Sequence, residues 1–157
     1  MAKITVGRKV PAFSAAITGS DGEKWKLADA AGEKLVLYFY PKDMTGGCTK
    51  ESQDFREHHA AFRKAKVRVL GISRDTLKSH DKFRDKEKLP FDLLSDEDET
   101  VCKLFDVIKE KSLYGRKYMG VDRSTFLIDA DGVLRQEWRG VKVPGHVEEV
   151  LEAAKSL

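Results

Sequence analysis

The sequence predicts an α/β fold: a mixed central sheet flanked by helices. Three observations predict it. The apolar run Leu35–Tyr40 is short and rich in aromatics, which fits a strand buried on both faces. Segments with helical spacing alternate with such runs along the chain, the pattern of crossover units whose helices cover both faces of a sheet. Two hairpin signals, at Gly19-Ser20-Asp21-Gly22 and at Ala130-Asp131-Gly132, add antiparallel strands.

The elements follow in order. Phe13–Thr18 and Glu23–Leu27 flank the first turn signal and read as a hairpin. The strand Leu35–Tyr40 ends at Pro41, which cannot donate to a ladder. Thr45–Lys64 reads as one helix, with Phe55, His59 and Phe62 at i, i+4 and i+7. Val67–Ser73 is a second strand, Thr76–Lys88 a charged helix closed by Pro90, and Phe91–Leu94 a short strand. Ser95-Asp96-Glu97-Asp98 offers capping groups to a helix carrying Val101, Leu104 and Phe105. Lys109–Val121 is polar and contains glycine, which predicts a loop. Thr125–Asp129 and Val133–Trp138 form the second hairpin, and Trp25 and Trp138 read as packing residues in strands. The last helix, His146–Leu157, puts Val147, Val150, Leu151 and Ala154 on one face. A late hairpin before a terminal helix is the pattern of a thioredoxin-like fold, here with an N-terminal β-hairpin addition. In such open sheets the active crevice lies beyond the carboxyl ends of the strands, where Pro41–Cys48 falls.

Composition bounds the function. A chain of 157 residues without linker or repeat is expected to be one domain, residues 1–157. The 29 Lys and Arg nearly balance 26 Asp and Glu, and a net charge of +3 gives no broad electrostatic field for nucleic acid or membrane. The basic run Arg63–Arg68 has little aromatic interleaving and reads as a solvated helix-to-strand turn. No run is long enough to span a bilayer, and Met1–Val10 shows no apolar secretory core. A cytoplasmic protein is the expectation. There a cysteine is more often inert or catalytic than a structural disulfide partner.

Cys48 and Cys102 are the two cysteines, and no CxxC pair exists. Adjacent His58 and His59 do not face each other on a helix, and His80 and His146 lack partners at ligand spacing, so neither metal nor cofactor is expected. If Thr45 caps its helix, Cys48 is the third helical residue, near free N–H groups and the positive end of the dipole. Such positions lower a thiol's pKa and make it a nucleophile. Gly46 and Gly47 allow close backbone approach and leave the sulfur open to a small substrate. From position alone, catalysis and inert burial are about equally expected.

The segment Tyr40-Pro41-Lys42-Asp43-Met44-Thr45-Gly46-Gly47-Cys48-Thr49-Lys50-Glu51 resembles the active-site signature of the peroxiredoxins, Pro-x-x-x-Thr-x-x-Cys. It is most similar to the PrxQ, or bacterioferritin comigratory protein, subfamily. Further blocks resemble the same subfamily in the same order: Val69–Ser73, Leu93–Asp96, Arg123–Asp129 and Val143–His146. The resemblance implies a thiol peroxidase. Cys48 would attack a peroxide O–O bond and become a sulfenic acid. Thr45 would match the threonine whose hydroxyl contacts the sulfur and the peroxide, Pro41 the proline that shields the sulfur, and Arg123 the arginine that stabilises the thiolate. Glu51 matches the pattern as a supporting group. A peroxide offers little to grip, so the rate must come from donors aimed at its oxygens, and a guanidinium is a rigid fork of them.

Two departures matter. Gly46 stands where the subfamily usually has proline, and Gln53 stands where many relatives carry a resolving cysteine. Thr76–Lys88, the helix that resolves in another branch, has no cysteine either. Cys102, beside Phe105 at an apolar seam, reads as a half-buried packing residue. A one-cysteine cycle is therefore expected, with an external thiol such as thioredoxin, glutaredoxin or a small thiol as reductant. The subfamily resemblance also implies a monomer. A peroxide sensor or adaptor that passes oxidation to a partner by mixed disulfide is the alternative. A thioredoxin-type disulfide reductase is disfavoured, because that chemistry wants two neighbouring thiols.

Overall fold

The structure, a computed structural model, describes residues 4–157. Met1–Lys3 of the N-terminal stretch read above lie outside the described residues. A seven-stranded sheet carries the fold. Its strands are β1 (Ser14–Ile17), β2 (Lys24–Lys26), β3 (Lys34–Phe39), β4 (Val67–Ser73), β5 (Leu93–Ser95), β8 (Ser124–Ile128) and β9 (Leu134–Trp138). They lie in the order β2-β1-β5-β4-β3-β8-β9. β3 pairs parallel with β4, Val36 opposite Val69, and antiparallel with β8, Tyr38 opposite Thr125. The N-terminal hairpin joins the sheet where β1 meets β5.

β3 is central because its side chains serve two cores. Successive strand residues point to opposite faces. Leu35, Leu37 and Phe39 join one apolar cluster with Phe105, Phe126 and Cys102. Val36, Tyr38 and Tyr40 join the other with Phe55, Phe62, Phe83 and Cys48. Each fully buried large apolar side chain contributes about 1.5–3 kcal/mol, which makes the short run Leu35–Tyr40 the strongest local determinant of the fold. The terminal helix α5 (His146–Lys155) buries Val147, Val150, Leu151 and Ala154, the face read from the sequence.

Two expectations are corrected. The single helix over Thr45–Lys64 is two helices, α1 (Gly46–Glu57) and α2 (His59–Lys64), divided at His58. His58 leaves helical geometry (φ −98°, ψ 3°) and its ring nitrogen reaches the Asp54 carbonyl. The apolar spacing survives the break, since Phe55 and Phe62 still pack with ring centroids 5.8 Å apart. The loop expected over Lys109–Val121 is a two-stranded ribbon, β6 (Ile108–Leu113) and β7 (Arg116–Val121). Most of its side chains face solvent on both sides, so no alternation marks it in the sequence. Tyr114 and Gly115 turn it with φ of 51° and 78°, a left-handed pair that suits a tight hairpin.

The remaining helices match their signals. α3 (Leu77–Glu87) begins at Thr76, whose hydroxyl accepts from the Ser79 N–H. α4 (Thr100–Leu104) is capped by Asp96, whose carboxylate accepts from the N–H groups of Val101 and Cys102.

Candidate active site

The site forms where β3 ends and α1 begins. The Tyr40 N–H still bonds the Ile72 carbonyl at 3.1 Å, and pairing then stops at half-buried Pro41. The loop runs through Met44, which holds φ at 61°, a conformation that costs a non-glycine residue of order 1 kcal/mol. Thr45 takes the cap position with extended backbone, so Cys48 is the third residue of α1, as the spacing predicts.

Two details differ from expectation. The Thr45 hydroxyl does not cap the helix. It donates to the Lys42 carbonyl at 2.8 Å and braces the loop instead of reaching Cys48. Cys48 is also not open: it is 1% exposed, packed in the cluster of Tyr38 and Phe55. Gly46 faces open space, and Gly47 admits a close approach, though of Arg123 and not of substrate to an open sulfur. A Cβ on Gly47 would lie 3.1 Å from Arg123 Nη2, so the missing side chain makes room for the guanidinium.

Arg123 precedes β8 and spans two acids. Its Nη2 donates to Cys48 Sγ at 3.3 Å and its Nη1 to Glu51 Oε1 at 2.7 Å. Seventy-five residues separate Arg123 from Cys48, so only the pairing of β3 with β8 brings them together. Glu51 is fully buried, and its Oε2 has no hydrogen-bond partner among the described residues. Burial pushes its carboxyl up to about 7, against the downward pull of Arg123. Tyr38, from β3, donates to or accepts from Ser52 Oγ at 2.9 Å beneath the same helix.

A network below the loop escaped the sequence reading. His80 has no ligand-type neighbour at helical spacing, yet the fold sets Asp43 and Asp75 beside it. His80 Nδ1 lies 2.7 Å from Asp43 Oδ2 and its Nε2 lies 2.8 Å from the Leu94 carbonyl. Tyr40 donates to Asp43 Oδ1 at 2.6 Å, Ser79 donates to Asp43 Oδ2, and the Asp43 N–H donates to Asp75. These atoms are committed to one another, and together they pin the loop that carries Thr45 to α3 and β5. The signal was Asp43 inside the motif.

His146 is also buried near Arg123. Its Nε2 lies 2.8 Å from Thr125 Oγ1, on the strand that follows Arg123. Burial lowers it to about 4, and the nearby Arg123 charge adds to that.

Cys102 is placed apart. It is fully buried, not half-buried as expected, because α4 turns it into the cluster on the opposite face of β3. Burial first, and then the Asp96 carboxylate beside it, push its thiol far above the ordinary range. The central sheet stands between it and Cys48, whereas a disulfide needs Cα atoms within about 7 Å.

Known proteins share this architecture. The model of the AhpC/TSA family matches residues 6–137. Peroxiredoxin Bcp of Bacillus subtilis is 47% identical over 154 residues, 98% of this chain and 97% of its own. The structure of a Xylella fastidiosa PrxQ mutant superposes with a TM-score of 0.91 at 41% identity, covering 99% of this chain and 98% of that one. A Xanthomonas campestris bacterioferritin comigratory protein, described with alkyl peroxide reduction activity, superposes with a TM-score of 0.86 at 47% identity, covering 92% and 90%.

Proposed function

This chain belongs to the AhpC/TSA family, with Bcp and PrxQ peroxiredoxins as its relatives, and on that premise we propose that Cys48 is the peroxidatic residue of a one-cysteine cycle. The protein is a thiol-dependent peroxidase. The single observation that carries the assignment to Cys48 is the guanidinium of Arg123, held 3.3 Å from its sulfur in the first turn of α1.

The chemistry follows from that arrangement. Helix N–H groups and Arg123 favour negative charge on Cys48. The thiolate attacks the terminal peroxide oxygen, the S–O bond forms as the O–O bond breaks, and Cys48 becomes a sulfenic acid. The second oxygen departs as hydroxide or alkoxide, which takes up one proton to give water or alcohol. Arg123 offers its donors to the oxygens as charge develops on them. Pro41 walls the sulfur from bulk water, and Thr45 supplies a hydroxyl at the exposed side of the loop. Hydrogen peroxide and organic hydroperoxides are both substrates, the latter supported by the alkyl peroxide activity of the Xanthomonas campestris relative.

Cys102 takes no part in this cycle. Its burial on the far face of the sheet and its raised thiol pKa both argue against a resolving role. The reductant is then external: thioredoxin, glutaredoxin or a small thiol acting on the Cys48 sulfenic acid. We read all 157 residues as one domain, working as a cytoplasmic monomer. No helix among the described residues is long and apolar enough to cross a membrane.

The test is intact mass under non-reducing conditions after one equivalent of hydrogen peroxide with a sulfenic-acid trap. One trapped adduct on Cys48, with Cys102 still free, is the expected result. An intramolecular Cys48–Cys102 disulfide would refute the one-cysteine cycle and require both helices to move.

A further inference from the structure

We propose that Glu51 and Cys48 share one proton through Arg123, so that Glu51 is a positioning residue that sets the charge available to the reactive sulfur. The inference rests on the reading of Cys48 as the reacting thiol. The geometry that carries it is a count of charges. One guanidinium faces two acids, with Nη1 on Glu51 and Nη2 on Cys48. Both acids are almost completely buried, at 0% and 1% exposure. Two buried negative charges cannot both be offset by one cation, and an unpaired buried charge is strongly unfavourable.

The bare Oε2 of Glu51 says which acid holds the proton in the reactive state. An ionised carboxylate would leave that oxygen charged and without a donor. A neutral carboxyl still accepts from Arg123 through Oε1, and the positive charge is then free for the sulfur. The groups facing Glu51 leave the balance with this pair. Tyr38 of β3 and Asp54 of its own helix add negative or neutral character, and Arg123 is its cation. Lys111 of β6 senses both Cys48 and Arg123 at longer range. Its ammonium donates to the Val121 carbonyl and meets neither acid directly, which leaves Arg123 as the cation in contact with the pair. His146 of α5 senses Arg123 and is held neutral at pH 7.

The coupling closes the proton balance of the reaction. The Cys48 thiolate and a peroxide RO–OH give Cys48–SOH and an alkoxide RO⁻. The S–O bond forms, the O–O bond breaks, and sulfur loses two electrons to the peroxide. The alkoxide needs one proton to leave as ROH. Once the sulfur is neutral, Arg123 turns wholly to Glu51, which ionises and releases one proton. The proton lost by Glu51 equals the proton the alkoxide gains, so the protein takes up none from the medium.

Two measurements test this. The first follows thiolate absorbance at 240 nm against pH in the unmodified chain and in Glu51→Gln, with Cys48→Ser as blank. Gln keeps the acceptor for Arg123 and cannot ionise. Coupling predicts a broad, two-step titration in the unmodified chain, as interacting sites give. It predicts a single step at lower pH in Glu51→Gln. A purely structural Glu51 would leave the titration in place or move it up, and either outcome would overturn the proposal. The second measurement needs no variant to fold. Proton uptake per Cys48 oxidised by hydrogen peroxide is read with an indicator in weak buffer, at pH values where the thiolate is present. Coupling predicts uptake near zero below the second step, rising to about one proton above it. A constant uptake of one proton overturns the proposal. If Cys48→Ser still consumes peroxide, the reading of Cys48 fails. If that variant is dead while Glu51→Gln titrates like the unmodified chain, only the Glu51 inference fails.

Discussion

Replacing His146 with glutamine should change how stability depends on pH. His146 is 6% exposed, sits at the first position of α5, and faces Thr125, Trp138, Glu149 and Arg123. Burial, the Arg123 charge and the positive end of the helix dipole all oppose a proton there; Glu149 alone favours it. Its pKa falls from 6.5 to about 4 in the folded protein. At about 1.4 kcal/mol per pH unit this is worth about 3 kcal/mol. The sign follows from proton counting. Between pH 4 and 6.5 the unfolded chain binds the proton and the folded protein does not. The contribution is fully present above pH 6.5 and is lost as pH falls through 4. Gln can meet the Thr125 hydroxyl but has no such titration. The assay is urea unfolding of both proteins from pH 8 down to pH 3.5, comparing the free energies at each pH. Other titrating groups cancel in the difference. The advantage of the unmodified protein over the variant should shrink by about 3 kcal/mol across that range. A difference that stays constant within about 0.5 kcal/mol would show that His146 titrates alike in both states, and would refute the reasoning.

Two further predictions test neighbouring parts of the structure. Arg123→Lys keeps the charge but not the fork that meets Cys48 and Glu51 together, so oxidation of Cys48 by hydrogen peroxide should slow by about 100-fold. Competition kinetics against a peroxidase of known rate would read this, and a loss below threefold would remove Arg123 from the chemistry. Gly71→Ala should destabilise the fold by about 1–3 kcal/mol, because the new Cβ would lie 2.7 Å from Tyr38 Cζ and 2.8 Å from Leu93 Cδ2 in a packed core. Urea midpoints check it, and an unchanged midpoint would mean that β4 and Tyr38 separate easily.

Much of the scaffold was legible because its signals are local. The run Leu35–Tyr40, the two hairpin turns and the apolar face of the last helix each declare themselves within a dozen residues. What failed was also local in cause. The ribbon β6–β7 is exposed on both faces and so carries no period, and the break at His58 depends on one side chain turning onto the Asp54 carbonyl. The motif at Pro41–Cys48 gave the position of the sulfur in its helix, because strand end, cap and first turn are consecutive.

The sequence by itself determined the α/β architecture, the placing of Cys48 in a helical first turn and the lack of a cysteine near it. Only the tertiary structure decided the rest. The pairing of β3 with β8 carries Arg123 across 75 residues onto Cys48, and the Gly47 backbone leaves the space it enters. The alternation of β3 puts Cys48 and Cys102 on opposite faces, which no spacing along the chain reveals. The burial that raises the Glu51 carboxyl to about 7, and lowers His146 to about 4, comes from layers packed over them. Charge states depend on distance and solvent in three dimensions, and a linear sequence specifies neither until the chain has folded.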